Sequence, residues 1–469
     1  MAQAERERLR VVMFPWLAHG HITPYLELAR RLTLPTTTTS PIDVTVHLVS
    51  TPINLATIAH HETDRISLVP LHLPAVEDGD LPASLHTTRH LPPRLMPKLK
   101  RACDLAAAAF GAILDEISPD VVVYDFIQPW APLEAEKRRI PAVHFSTCSA
   151  AATAFFAHGL LGERGAFPFD AISLGGDGED ARHVEITCRD DDDGEGVVAE
   201  RDRLPLSLAR SSEFVAVKTC DEIEQKYIDY LSNLIGKEIV PCGPLLVHDS
   251  GLESERVIRW LNGKETRSVV FVSFGTEYFM SEKQLSRMAR GLELTGAKFL
   301  WVVRFPAAAE GSDGDGAVAR AMPGWFTPSA EKGMVVEGWA PQRRVLGHRA
   351  CGAFVTHCGW SSVVEAMAAG VPMVAMPLHI DQPINAGLAA ELGVAARVVA
   401  PLGEEFEAED VACAVSAVMT RSEEAEAMRR RARELREVVA RRDADDAAQI
   451  GALVHRMARL CGKAVAVPN

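Results

Sequence analysis

The chain has 469 residues, 47% hydrophobic and 24% charged, a balance that suits a soluble globular protein with room for two or three domains. A formal net charge of −14 excludes a basic nucleic-acid face and disfavours an anionic membrane surface. Nine cysteines stand scattered with no Cys-x-x-Cys, which reads as reduced thiols of an intracellular chain and not as a disulfide framework.

The first ten residues mix acids and bases with no long apolar run behind them, so no secretory leader is expected and a cytoplasmic location is. Residues 10–14 read as a short buried strand. The loop Pro15-Trp-Leu-Ala-His-Gly-His-Ile-Thr-Pro24 follows, then an amphipathic helix over 25–32 with Pro24 in its first turn. That loop has no G-x-G-x-x-G, which disfavours an ordinary dinucleotide site. Residues 35–41, with four threonines in a row, read as a linker-like loop, and 43–50 and 66–71 as strands. A helix over 95–117 leads into a strand over 120–125 that ends in Asp125. A helix over 133–137 and a strand over 142–147 continue the alternation. The apolar run 142–161 has the length of a membrane span but carries His144, Ser146, Thr147, Ser149, Thr153 and His158, so a strand passing into a helix is expected. Residues 162–204, rich in glycine and aspartate, suggest a mobile loop. Short strands over 213–220 and 238–240 close the first half.

The second half restarts with a strand over 268–276 that ends in a tight turn at Gly275 and Thr276. A helix over 282–292, a strand over 299–304 and a flexible insert over 306–318 come next, and residues 334–337 precede the stretch that follows. Residues 339–382 then read WAPQRRVLGHRACGAFVTHCGWSSVVEAMAAGVPMVAMPLHIDQ. Here a strand over 352–356 reaches His357, Cys358 and Gly359 make a turn, and Trp360-Ser361-Ser362 opens a helix that Gly370 stops before the strand 371–378. Backbone N–H groups at that helix start, with hydroxyls and an imidazole beside them, form a ready phosphate site. Glu365, in the first turn, could also hold a ribose diol. Charged surface helices are expected over 404–419 and 423–440. Residues 444–460 carry apolar spacing (Ile450, Leu453, Val454, Met457, Leu460) that wants a partner surface.

The expected fold class is α/β, with two Rossmann-like doubly wound domains facing a cleft. The expected divisions are a first domain over 1–242, a linker over 243–253, a second domain over 254–443, and a C-terminal helix over 444–469 packing back on the first domain.

The stretch 339–382, with Trp-Ala-Pro-Gln, His-Cys-Gly-Trp-x-Ser-x-x-Glu, Gly-Val-Pro and Asp-Gln at these spacings, resembles the signature box of plant UDP-sugar-dependent glycosyltransferases. Supporting motifs run from 15 to 275. The resemblance implies the GT-B architecture and an inverting, metal-independent transfer with a UDP-sugar as co-substrate and no cofactor. His21 follows the glycine of P-x-x-x-x-G-H-x-x-P, where the family places its base; His19 is the competitor. On position alone, a histidine on a strand–helix loop and an acid, Asp125, at a strand end suit a general base and its orienting partner. The plain alternative is a solvated loop histidine and an ordinary strand-end acid.

Residue by residue, the resemblance implies that Trp339 stacks the uracil and Ala340 offers it backbone hydrogen bonds. Gln342 and Glu365 take the ribose hydroxyls. His357, Ser362, Thr276 and the helix N–H groups stabilise the charge on UDP. Asp381 and Gln382 hold the transferred sugar, Trp360 lies near it, and Thr147 touches it from a strand end. Ser361 stands where the family usually has Asn, a shorter reach that puts one phosphate contact in question. Without the resemblance, Trp339 and Trp360 read as core or rim aromatics and Asp381 as a loop acid.

The resemblance implies, through Gln382 at the end of the box, a lean of the donor towards UDP-glucose, with rhamnose or xylose transfer as alternatives. The resemblance also implies a small-molecule acceptor met by loops around 82–93, 128–130 and 162–204. The runs Phe14-Pro-Trp-Leu-Ala-His-Gly-His21 and His379-Ile-Asp-Gln-Pro-Ile-Asn385 resemble the subgroup that adds a sugar to a sugar, which implies a flavonoid or terpenoid glycoside. The alternative is direct glucosylation of an aglycone. Other classes are a non-catalytic nucleotide-sugar-binding protein, an epimerase, or a phosphorylase, the last without a motif for a pyridoxal-bearing lysine. No nucleic-acid partner or integral membrane segment is expected, and a monomer is. The near calcium loop at Arg189, Asp191, Asp193, Gly194 and Glu200 lacks an acid at its first position. Asp313-Gly-Asp315 has no strand before it, and Cys351, His357 and Cys358 lack zinc-site spacing.

Overall fold

In the computed structural model the described residues are 7–34, 42–76, 81–89, 91–162, 165–189, 197–246, 255–276, 278–305, 322–326, 329, 331–398, 406–444 and 446–463. They fall into two compact units: Met1–Phe167 with Asp177–Val247 and Arg442–Asn469, and Pro168–Gly176 with His248–Arg441.

Among the described residues, the first unit holds a sheet of seven strands: β1 (Arg8–Phe14), β2 (Asp43–Ser50), β3 (Ile66–Pro70), β4 (Val121–Tyr124), β5 (Ala142–Ser146), β6 (Phe214–Val217) and β7 (Glu238–Pro241). Their order is β3-β2-β1-β4-β5-β6-β7, and every pairing is parallel. Parallel strands need helical crossovers, and helices on both faces bury the central strands completely. That is why β4 reads Val-Val-Val-Tyr and is buried throughout, while the edge strand β3 buries only Ile66. Alternation along β1 splits the core in two. Leu9, Val11 and Met13 pack with Ile22, Tyr25 and Leu28 of the helix His19–Thr33, and with Ile450, Leu453, Val454 and Met457 of the helix Asp446–Leu460. Val12 and Phe14 point the other way, to Leu99, Phe110 and Trp130.

The second unit repeats the plan with β8 (Val269–Ser273), β9 (Lys298–Val303), β10 (Gly333–Glu337), β11 (Cys351–Thr356), β12 (Met373–Ala375) and β13 (Ala395–Arg397). Their order among the described residues is β10-β9-β8-β11-β12-β13, again all parallel. In each sheet the chain builds outward from a central strand, then returns to that strand's other side. The reversal falls between β1 and β4 in one sheet and between β8 and β11 in the other. Open α/β sheets place ligand groups beyond the strand C-termini at such a reversal. The residues there are His21 and Asp125 in the first unit, Gly275, Thr276 and His357 in the second. Topology alone singles out these strand ends.

Several elements differ from the sequence expectation. The first helix begins at His19, not 25, and runs through Pro24. His21 therefore sits in a helical first turn and not on a loop. The stretch 162–204 is not one mobile loop: the helix Asp177–Thr187 and the start of the helix Glu200–Arg210 lie in it. Its charged residues hid them, because Arg203 is buried by pairing and not by apolarity. The helix expected over 95–117 is broken into Met96–Asp104 and Ala107–Ile117, and the helix Asp221–Ile235, between β6 and β7, went unread in the sequence. The loop 35–41, the linker core 247–254, the insert 306–321 with Asp313-Gly-Asp315, and Asp191, Asp193 and Gly194 lie outside the described residues. Among the described residues no helix is long and apolar enough to cross a membrane.

Candidate active site

In the first unit, the start of the helix His19–Thr33 brings His21 to the end of β4. His21 Nδ1 lies 2.7 Å from Asp125 Oδ2, with the carboxylate side chain 1% exposed and the imidazole 20%. Thr147 Oγ1, at the end of β5, lies 3.1 Å from the same nitrogen. A carboxylate can only accept, so Nδ1 carries the proton and the ring's lone pair falls on Nε2. It is His21, not His19, that pairs with Asp125. A second imidazole nearby, His144, is fully buried; burial lowers it despite the opposing pull of Asp125 and of the Tyr124 carbonyl 3.1 Å from its Nδ1. It stays neutral inside the sheet.

Thr147 lies just before the start of the next helix, whose first N–H groups are covered from within the chain. Ser149 caps the helix Ala150–Leu160 by accepting from Ala152 N at 3.0 Å. The Glu224 carboxyl accepts from Ala150 N at 3.0 Å and Ala151 N at 2.8 Å, covering two more orphan N–H groups of that helix start. Glu224 is completely buried, and burial raises it to about 7 even though Thr219 and these N–H groups oppose the shift.

The second unit gathers the remaining candidates around the end of β11. The His357 ring lies between two glycines: a Cβ on Gly275 would come within 2.8 Å of its Cε1 and Nε2, and one on Gly359 within 2.8 Å of Nε2. Gly275 has φ +74, a second reason for glycine there. Burial pushes His357 down to about 4, with His379 adding to the effect, and its Nδ1 is buried without a hydrogen-bond partner among the described residues. At neutral pH it is an uncharged N–H donor. Cys358 (φ 65) and Ile380 (φ 56) both hold left-handed backbone in this stretch. For a β-branched residue that conformation is a true outlier, of the kind that gathers at binding sites.

Gly359 starts the helix Trp360–Ala369 and brings no side-chain cap. A site that leaves the first N–H groups to an outside acceptor needs such a start. Ser361 is half-buried and Ser362 buried, while the Trp360 ring is only 3% exposed and belongs to the core. Gln342 Nε2 donates to Ser362 Oγ at 3.1 Å and to Glu365 Oε2 at 2.9 Å, so these three stand together. Trp339 is 46% exposed after the left-handed Gly338, and Ala340 beside it is buried. Thr276 follows Gly275 in the turn after β8.

Gln382 turns inward: its Oε1 accepts from Leu378 N at 3.0 Å and His379 N at 3.2 Å, shaping the loop that carries Asp381. Asn385, named in the sequence only as the end of a run and given no role of its own, is fully buried and donates to Cys358 O at 3.0 Å and Asp381 Oδ2 at 2.8 Å. It ties the His357 turn to Asp381. A buried polar residue inside the helix Gln382–Glu391 was the signal available for it. Among the described residues no group of three or more His, Cys, Asp or Glu is placed to hold a metal.

Residues 247–432 match the family model described as UDP-glucoronosyl and UDP-glucosyl transferase. The chain is 38% identical over 444 residues to a mogroside IIIx synthase of Siraitia grosvenorii, covering 92% of this chain and 93% of that one. It is 41% identical over 416 residues to a beta-D-glucosyl crocetin beta-1,6-glucosyltransferase of Gardenia jasminoides, covering 87% and 90%. A Glycyrrhiza uralensis enzyme solved with glycyrrhetinic acid 3-O-monoglucuronide shares the fold at a TM-score of 0.78 and 22% identity, over 96% of each chain. Two parallel doubly wound units of the GT-B class, and identity of this order along nearly the whole chain, lead to one conclusion: it belongs to the UDP-glucoronosyl and UDP-glucosyl transferase family and is a plant-type UDP-glycosyltransferase.

Proposed function

We propose that this glycosyltransferase moves glucose from UDP-glucose, with inversion and without a metal, to a hydroxyl on the sugar of a flavonoid or terpenoid glycoside. The observation that carries the chemistry is the 2.7 Å contact of His21 Nδ1 with the buried Asp125 carboxylate. In this reading His21 Nε2 takes the proton of the acceptor hydroxyl as its oxygen bonds to the anomeric carbon. The bond from that carbon to the β-phosphate oxygen breaks, and UDP leaves with the electron pair. Asp125 stabilises the imidazolium formed, and Thr147 shares in orienting the ring. A single displacement of this kind inverts the anomeric centre.

The leaving charge is met by neutral donors. They are the N–H groups opening the helix Trp360–Ala369, the Ser361, Ser362 and Thr276 hydroxyls, and an N–H of uncharged His357. Preorganised dipoles of this kind stabilise charge without the desolvation cost of a buried cation. Trp339 offers an exposed ring face to the uracil and Ala340 its backbone. The paired Gln342 and Glu365 suit a ribose diol. Asp381 takes a sugar hydroxyl, and Gln382, whose oxygen is engaged with the loop, contributes through its amide N–H. An acceptor that already carries a sugar is supported by the Gardenia relative, whose name specifies a glucosyl acceptor.

The test is UDP release from UDP-glucose with pooled flavonoid and terpenoid aglycones, and separately with their monoglucosides, alongside His21→Ala. Release with the monoglucosides only, lost in the variant, is expected. Release with aglycones alone would replace the acceptor assignment by direct glucosylation. Binding of UDP-glucose with no release from any pool would leave a binding protein, an epimerase or an acceptor outside these pools, and conversion of the UDP-sugar itself would sink the transfer reading in favour of the epimerase.

A further inference from the structure

The helix Glu200–Arg210 buries a polar face where an apolar one is usual. Arg203, Ser207 and Arg210 recur at i, i+4 and i+7, one side of a helix, and the first two are 1% and 0% exposed. That face grips the loop after β4. Ser207 Oγ donates to Phe126 O at 3.1 Å, Arg203 to Ile127 O at 2.6 Å and Arg210 to Pro129 O at 2.7 Å. The Tyr124 phenol donates back to Ser207 O at 2.6 Å. Asp125 stands between Tyr124 and Phe126, the first two of these four anchored residues.

The helix is fixed at both ends. Arg203 donates to Asp104 from Nη1 and Nη2, at 3.0 and 2.8 Å, and to Glu200 from Nε at 2.7 Å. Asp104 also accepts from Trp130 Nε1 at 3.0 Å and Val198 N at 3.1 Å, so no charge in the buried pair is left unmatched. At the other end the Lys237 ammonium donates to Leu208 O at 2.9 Å, Ala209 O at 2.6 Å and Ser211 O at 2.5 Å. A cation there satisfies terminal carbonyls and suits the helix dipole.

The geometry points to the helix Glu200–Arg210 as the positioning element for Asp125, with Arg203, Ser207 and Arg210 acting on catalysis through loop carbonyls and without touching substrate. This rests on the proposed roles of Asp125 and His21. A loop whose carbonyls each have a fixed donor has one arrangement. Removing a donor lets the carbonyl turn towards water, and Asp125 Oδ2 drifts from His21 Nδ1.

Arg210 is half-exposed, so Arg210→Ala strands no buried charge; Ser207→Ala removes a single hydroxyl, and Arg210→Lys keeps one donor for Pro129 O. The full-length variants are compared by melting, by kcat and KM for UDP-glucose, and by the His21 Nδ1–H signal in 15N-histidine-labelled protein without substrates, assigned by its loss in His21→Ala. Both alanine variants should melt cooperatively, lose about tenfold or more in kcat with KM changed by less than about twofold, and broaden the His21 signal, while Arg210→Lys restores most of the rate. Unchanged kcat and an unchanged His21 signal in both alanine variants would overturn the proposal. The signal needs neither donor nor acceptor. If the wild type transfers no sugar at all, a changed signal still supports the positioning role while the transfer reading falls separately.

Discussion

Replacing Gly275 by alanine drives a methyl group into the His357 ring. The added Cβ would lie 2.8 Å from Cε1 and Nε2, where carbon contacts settle at about 3.5–4.0 Å. The ring must retreat by roughly 0.7 Å or more, enough to carry a hydrogen bond out of range. A bond donated to a charged phosphate contributes about 1.5–3 kcal/mol, so Kd for UDP should rise about 10- to 100-fold. Alanine at φ +74 also costs about 1–2 kcal/mol in folding, a separate effect. Gly359→Ala separates the two: its Cβ would lie 2.8 Å from Nε2, but its backbone, at φ −57 and ψ 138, is one that alanine adopts without strain. Titration calorimetry with UDP, with thermal melts alongside, should show weakened binding in both variants and a large loss of stability only in Gly275→Ala. UDP affinity within about twofold of wild type in both folded variants would refute the place given to His357 in phosphate binding.

Asp125→Asn should lower kcat by about 10²–10⁴ in single-turnover experiments while UDP affinity holds, because an amide no longer fixes the Nδ1–H tautomer; a loss under about tenfold contradicts this. Trp339→Ala should weaken UDP about tenfold or more and leave pyrophosphate binding alone, since a stacked base contributes about 1–3 kcal/mol. At 46% exposure, the loss of this ring should leave the melting temperature nearly unchanged. Glu224 titrates at about 7 in the folded chain, above its ordinary 4.5, so the folded state holds the extra proton between those values. The stability tied to this proton is therefore full below pH 4.5 and falls as pH rises through 7, by up to about 3 kcal/mol. Urea melts at both ends of that window should show the fall in wild type and not in Glu224→Gln; equal slopes would refute the assignment.

The apolar strands and the signature stretch were legible because their causes are local. Fully buried parallel strands must read as apolar runs, and a glycine turn before an uncapped helix is visible in seven residues. Helix limits were less legible where tertiary contacts decide them. Pro24 reads as a helix start, yet the helix reaches back to His19. The end of the stretch 162–204 read as part of a mobile loop because Arg203 looks like a surface charge until Asp104, 99 positions earlier, comes into view. The bridging roles of Asn385 and Glu224 were hidden for the same reason: each is polar, buried and satisfied by groups distant in the chain. The pairing of His21 with Asp125 lies between these extremes. The residues could be proposed from position and resemblance, but only the strand order puts β1 beside β4 and their ends together.

The measurement that tests the central claim most directly is the anomeric configuration of the purified product made from UDP-α-glucose, read by proton NMR. Attack by a hydroxyl that His21 deprotonates, in one displacement, yields a β-linked glucoside. An α-linked product would mean two displacements or a front-side path, and the role given to His21 and Asp125 would be wrong.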